Sequence, residues 1–204
     1  MFAAVAIGCF IYSAIALLSL HVLRPDYAPA SNFISNYAVG PYGWVMTTWF
    51  LAMSGGLLTL TLGLAFTGLR SIAARLGMLL LIVASIGLVV SAIFPTDIAA
   101  PSTRTGEIHD MSFLVNVSCI ILGTLMLSIS FGSHPRWRSY RRTALLLAGL
   151  IVIAFVVQFL TLHKGMPYGL ANRFFVVVTL AWLLATAMRL RGVVPAAGFE
   201  PATP

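Results

Sequence analysis

The chain has 204 residues, of which 60% are hydrophobic and only 8% charged, whereas soluble domains carry about 25% charged residues. That composition excludes a soluble globular domain and fits a polytopic membrane protein. Twelve Lys and Arg against five Asp and Glu make the chain basic. The basic residues flank apolar runs, which marks a topology signal attractive to anionic lipid and argues against a nucleic-acid partner.

A helix crossing a hydrocarbon core of about 30 Å needs about 20 apolar residues, because its backbone must pair every N–H and C=O internally. Six stretches satisfy this in chain order: Ala3 to Leu23, Gly43 to Phe66, Leu76 to Phe94, Met111 to Phe131, Thr143 to Leu162, and Leu170 to Met188. The expected fold is an all-α, six-transmembrane-helix bundle over residues 1–191, with a disordered Pro- and Ala-rich tail at 192–204. The first span is too long for a signal-peptide core, and no Lys or Arg precedes it. Cys9 and Cys119 fall on different spans and read as small core residues.

Arg70, Arg75, Arg136, Arg138, Arg141, Arg142, Arg189 and Arg191 all fall at one end of the expected bundle. The positive-inside rule makes that end cytoplasmic, with both termini inside a cell or inner membrane. His21, His109 and His163 gather at the opposite end with Asp26, Asp97, Glu107 and Asp110. The expected chemistry therefore lies at the extracytoplasmic mouth, next to membrane lipids.

After the first span, "HVLRPDYAPASNFISNYAVGPYG" reads as a long ordered loop folded over the bundle. Its Tyr27, Tyr37 and Tyr42, with Trp44, are placed as an interfacial aromatic belt. Gly55-Gly56 makes the second span the one that looks breakable. After the third span, "FPTDIAAPSTRTGEIHDM" holds three of the five acids. Pro95 ends that span, Thr105 is an expected N-cap of the next, and Glu107 complements the helix dipole. His109 precedes Ser112 by three positions and Asn116 by seven, so the three share a helical face. Asn116, Gln158 and Thr179 lie within spans and are expected to face protein or water, as helix glue or as part of a site. Gly56, Gly63, Gly123 and Gly149 are expected points of close helix approach.

The segments "RPDYAPASNFISNYAVGPYGWVM", "FPTD", "GEIHD" and "GLANRFFVVVTLAW", in order and spacing, resemble a membrane-protein family known as domain of unknown function nine hundred and ninety-eight. The resemblance extends to Arg191 and rests on Arg24, Pro25, Tyr27, Ser35, Gly40, Pro95, Asp97, Gly106, His109, Gly169 and Arg173. It implies a six-helix membrane fold and no particular reaction. Asn36 stands where the family shows an acid or Leu.

Three functions are compatible with these residues. A lipid-directed hydrolase would assemble His21, His109, His163 and Asp97 around zinc, whose bound water has a pKa of about 7. In that arrangement Asp110 or Ser35 orients nucleophile or substrate, and Arg173 holds a phosphate or oxyanion. A metal-free variant keeps Asp97 and His109 as an acid/base pair. A small-solute or lipid-binding or transport module would instead use a polar stripe of His109, Ser112, Asn116 and Gln158. A structural protein would pair Arg173 with Asp97 or Asp110 to close the bundle. The expected site centres on Asp97, His109 and Arg173, with Ser35 and Tyr37 supplied by the first loop.

Overall fold

Each of the six apolar runs forms one continuous helix in a computed structural model that describes residues 1–99, 101–163 and 165–193. The spans are α1 (Phe2–Leu23), α2 (Gly43–Ala65), α3 (Ile72–Ile93), α4 (Arg104–Ser130), α6 (Arg141–Leu160) and α7 (Tyr168–Val193). A one-turn helix, α5 (Pro135–Arg138), joins α4 to α6. The six long helices are apolar enough to cross a membrane. The expected tail falls largely outside the described residues, although Gly192 and Val193 continue α7.

Successive spans pack on one another, α6 lies against α4 and α7, and α7 returns to α1, so the six close into a ring. Phe2 stacks on Phe66 with ring centroids 5.5 Å apart, and Leu190 lies against Gly63. The start of α1 and the end of α7 therefore share one end of the bundle, called here the basic end. The other, the loop end, carries the segment between α1 and α2.

Small residues bring the backbones together. A Cβ on Gly56 would strike the Phe10 ring, and one on Gly77 would sit 3.0 Å from the Gly123 carbonyl oxygen. Ser54 and Ser85 donate to each other's carbonyl oxygens at 2.8 and 3.0 Å, tying α2 to α3. Such reciprocal bonds satisfy hydroxyls that would be costly next to lipid. Two sequence expectations need correction: α2 runs unbroken through Gly55-Gly56, because Gly56 serves close packing, and a Cβ on Gly149 would meet nothing within 4 Å.

The basic end is filled by aromatic rings. Phe131 stacks on Trp137 at 4.6 Å and on Trp182 at 6.5 Å, and all three are fully buried. Trp182 donates from Nε1 to the Ser128 hydroxyl at 3.0 Å, joining α7 to α4. The Tyr140 and Thr186 hydroxyls bond at 3.1 Å. The loop end is packed quite differently.

Candidate functional site

Two arginines shape the loop between α1 and α2. Arg24, 4% exposed, donates from Nε and Nη2 to the Asp26 carboxylate at 2.9 and 2.7 Å. Its Nη1 reaches the carbonyl oxygens of Val39 and Pro41, each at 2.8 Å. The guanidinium also lies 4.4 Å from the Tyr27 ring centre, a cation–π contact. Hydrogen bonding to Arg24 holds the Asp26 carboxyl below its ordinary pKa of 3.8 and raises that of the guanidinium. Gly40 turns beneath it at φ +83°, a conformation that a side chain disfavours.

Arg173 is the second clamp. Its Nη1 donates to the carbonyl oxygens of Pro29, Asn32 and Gly169 at 2.8, 2.6 and 3.0 Å. Nη2 reaches the Tyr37 hydroxyl at 3.2 Å, and Nε reaches His21 Nε2 at 2.7 Å. Because Arg173 can only donate, His21 Nε2 accepts, and the ring's proton sits on Nδ1, which donates to the Leu17 carbonyl at 2.7 Å. The Gly169 N–H bonds the Ala30 carbonyl at 2.9 Å, and a Cβ on Gly169 would strike the Pro29 oxygen. Asn172 accepts from the Ile34 N–H at 3.1 Å. The loop is thereby riveted to the start of α7 as a cap.

The cap's 3₁₀ turn, Ile34–Ala38, overlies a cavity of about 400 Å³, within the usual range of about 300–1,000 Å³ for ligand pockets. Phe33, Ile34 and Ser35 roof it, while α2, α3, α4 and α7 wall it. Phe50, Met53, Leu88, Val117, Phe175 and Val176 make the walls apolar, interrupted by Trp49, Ser91, His109, Asn116, Asn172 and Thr179.

Some of these polar groups are satisfied and some are not. Asn116 Nδ2 donates to Ser91 at 3.3 Å, Ser91 to Ser112 at 2.7 Å, and Ser112 to the His109 carbonyl at 2.7 Å. His109, 3% exposed, is bonded through Nδ1 to the Phe94 carbonyl at 2.8 Å. That bond needs the proton on Nδ1, which in the neutral ring leaves Nε2 as an acceptor. The ring also packs edge-on against Phe50 at 5.8 Å. Three buried atoms of lining residues have no partner: Trp49 Nε1, Asn116 Oδ1 and Thr179 Oγ1. The Asn116 oxygen abuts Gly87, where a Cβ would collide with it. Several Ser and Thr hydroxyls on these helices bond a carbonyl three or four residues back, as in Thr59, Thr124 and Ser128. Thr179 does not, so two residues that line the same apolar space carry an unpaired indole N–H and an unpaired hydroxyl. A buried donor without a partner costs about 1–3 kcal/mol, which a bound group can recover.

The sequence expectations are met unevenly. His109, Ser112 and Asn116 do share a buried face, and Ser35, His109, Asp110 and Asn116 line the cavity. Asp97 does not pair with His109: its carboxylate accepts from the Thr103 N–H at 2.6 Å and hydroxyl at 2.9 Å. Gly106 allows this, since a Cβ there would collide with Asp97. Thr103, rather than Thr105, caps α4, accepting from the Gly106 N–H at 3.2 Å. Arg173 pairs with neither Asp97 nor Asp110; its bonds run instead to the cap, to His21 and to the Gly169 carbonyl. Gln158 stands apart from the Asn116 stripe, with Asn172 Nδ2 3.5 Å from its Oε1. Tyr37 is fully buried, whereas Tyr42 and Trp44 are exposed as a belt requires.

Among the described residues no three His, Cys, Asp or Glu side chains lie together to hold a metal. His21 is tied to Arg173, His109 to Phe94 and Asp97 to Thr103, so His21, His109, His163 and Asp97 are not one ligand set. Trp49 and Asn172 are site residues that the sequence reading did not single out.

A family model described as "Protein of unknown function (DUF998)" matches residues 5–189. No curated protein and no solved structure matches the chain. With nearly its whole helical length covered, this multi-pass membrane protein belongs to the DUF998 family.

Proposed function

We propose that the protein is a binding module for an apolar molecule with one small, uncharged polar group, held in the cavity beneath the cap. The carrying observation is the pairing of apolar walls with the unpartnered Trp49 N–H and Thr179 hydroxyl. A hydroxyl, ester or ketone oxygen would accept from Trp49, and a hydroxyl would also donate to His109 Nε2. A charged head finds little support, because Arg24 and Arg173 are committed to the cap and, among the described residues, no Lys or Arg lines the cavity. By the positive-inside rule the basic end is cytoplasmic, which puts the cavity in the outer half of a cell or inner membrane. The aromatic fill at the basic end argues against a through-path and favours binding over transport.

The test is to purify the protein in mild detergent, extract it and identify co-purifying lipids by mass spectrometry. Wild type should retain a neutral lipid that Val176→Trp, which fills the cavity, loses, and that Thr179→Val retains more weakly. Equal recovery from all three folded proteins would contradict the proposal.

A hydrolytic reading keeps one support: the unbonded His109 Nε2 and the Ser35 side chain border the same cavity. It predicts ester cleavage that disappears in a folded His109→Gln variant; the binding reading predicts no turnover.

A further inference from the structure

Resting on the binding reading, we infer that the cavity opens sideways into the bilayer between α4 and the α6–α7 corner, and that its occupant is a neutral lipid admitted from the surrounding leaflet. Two lining residues carry the inference. Leu114 on α4 is 55% exposed and Leu162, just beyond α6, is 47% exposed, yet both border the cavity. Each therefore belongs at once to the internal wall and to the lipid-facing surface. Other apolar lining residues, such as Met53, Val117 and Phe175, are buried.

The ring explains why the opening falls there. Only α6 stands between α4 and α7, and α6 ends at Leu160 after 20 residues while α4 runs for 27. No residue of α6 itself lines the cavity. The wall on that side is left to Leu162 and to the flank of α4. Exposed Asp110, one turn above Leu114, borders the same cavity nearer the loop end. That order, apolar below and acidic above, matches a portal reaching from hydrocarbon to the interface.

The cap is bonded to α7 through Arg173, Gly169 and Asn172, and the aromatic cluster of Phe131, Trp137 and Trp182 fills the basic end. An exposed Leu pair facing acyl chains offers no barrier to another chain, since lipid is as apolar as leucine. Admission of a leaflet lipid thus requires no movement of the cap.

Trp49 supplies the probe. It is 4% exposed and lines the cavity, Trp137 and Trp182 are fully buried, and Trp44 is 67% exposed. The full chain carrying Trp44→Phe is reconstituted in phosphatidylcholine vesicles containing diacylglycerol with bromine on its acyl chains, and its fluorescence is compared with the Trp44→Phe/Trp49→Phe double variant. The difference reports Trp49 alone. Brominated lipid should quench most of it, and adding Leu114→Phe and Leu162→Phe should restore emission while thermal stability is unchanged. Quenching of Trp49 by aqueous acrylamide but not by brominated lipid would overturn the lateral portal and leave the cavity reading intact. Resistance to both quenchers would overturn both. Brominated-lipid quenching unaltered by the Phe pair, with either Phe alone also inert, would place the entrance elsewhere and contradict the inference.

Discussion

Arg173 donates from Nε to His21 Nε2 at 2.7 Å, across 152 positions of sequence. The bond joins the end of α1 to the start of α7, the two helices at which the ring closes. The same guanidinium holds two cap carbonyls, those of Pro29 and Asn32, and the Gly169 carbonyl of its own helix, so it orders the roof of the cavity. Arg173→Lys should loosen the cap nearly as much as Arg173→Ala, because an ammonium cannot reproduce the planar fork. Loss of charge-assisted bonds, each worth about 1.5–3 kcal/mol, should lower the melting temperature and expose residues 28–41 to limited proteolysis. His21→Ala should show a milder form of the same change.

Asp26 sets an acid limit on the cap. Its carboxyl is held below the ordinary value of 3.8 by hydrogen bonds from Arg24. The contribution to stability is therefore fully present above that ordinary value and is lost as the pH falls through the lower folded one. Hydrogen exchange of the cap amides should accelerate as pH drops below about 4, after correction for intrinsic rates. In Asp26→Asn that step should vanish, with exchange already raised at neutral pH. An unchanged step would contradict the assignment.

The glycines give a contrast within one class of residue. Gly87→Ala drives a methyl into Asn116 Oδ1, breaks the Asn116 to Ser91 bond, and should cost about 1–3 kcal/mol as an overpacked core does. Gly149→Ala meets nothing within 4 Å and should be neutral or stabilising by about 0.5–1 kcal/mol from helix propensity. Thermal unfolding of the two variants in one detergent checks both. Equal destabilisation would contradict the packing of α3 on α4.

His109 anchors the Phe94 carbonyl and borders the cavity at the same time. His109→Ala leaves that carbonyl unpaired at a cost of about 1–3 kcal/mol. His109→Gln can restore that bond through its amide, so it should recover stability without recovering full retention of the lipid. If Gln restores both properties, the imidazole serves structure alone.

Much of the fold was legible because hydrocarbon imposes a simple rule on length and hydropathy. Helix ends were less so: α4 begins at Arg104, seven positions before Met111, since charged first turns reach past the apolar core and resemble loop. The shared face of His109, Ser112 and Asn116 followed from helical spacing, but their partners did not. Asp97 found the nearby Thr103 rather than His109, and Arg173 found carbonyls rather than carboxylates, because backbone acceptors leave no mark in sequence. Trp49 sits five residues into the span after Trp44, and nothing in composition separates a cavity donor from an interfacial anchor. Only the folded ring shows that Trp49 lines the cavity and that its indole N–H has no partner.

The most direct test of the account is a high-resolution structure of the protein in lipid nanodiscs, bound to a rigid antibody fragment. Elongated density should enter between Leu114 and Leu162 and end within hydrogen-bond reach of Trp49 Nε1 and Thr179 Oγ1. A cavity holding only discrete water peaks, or one collapsed with Trp49 bonded to protein, would contradict it.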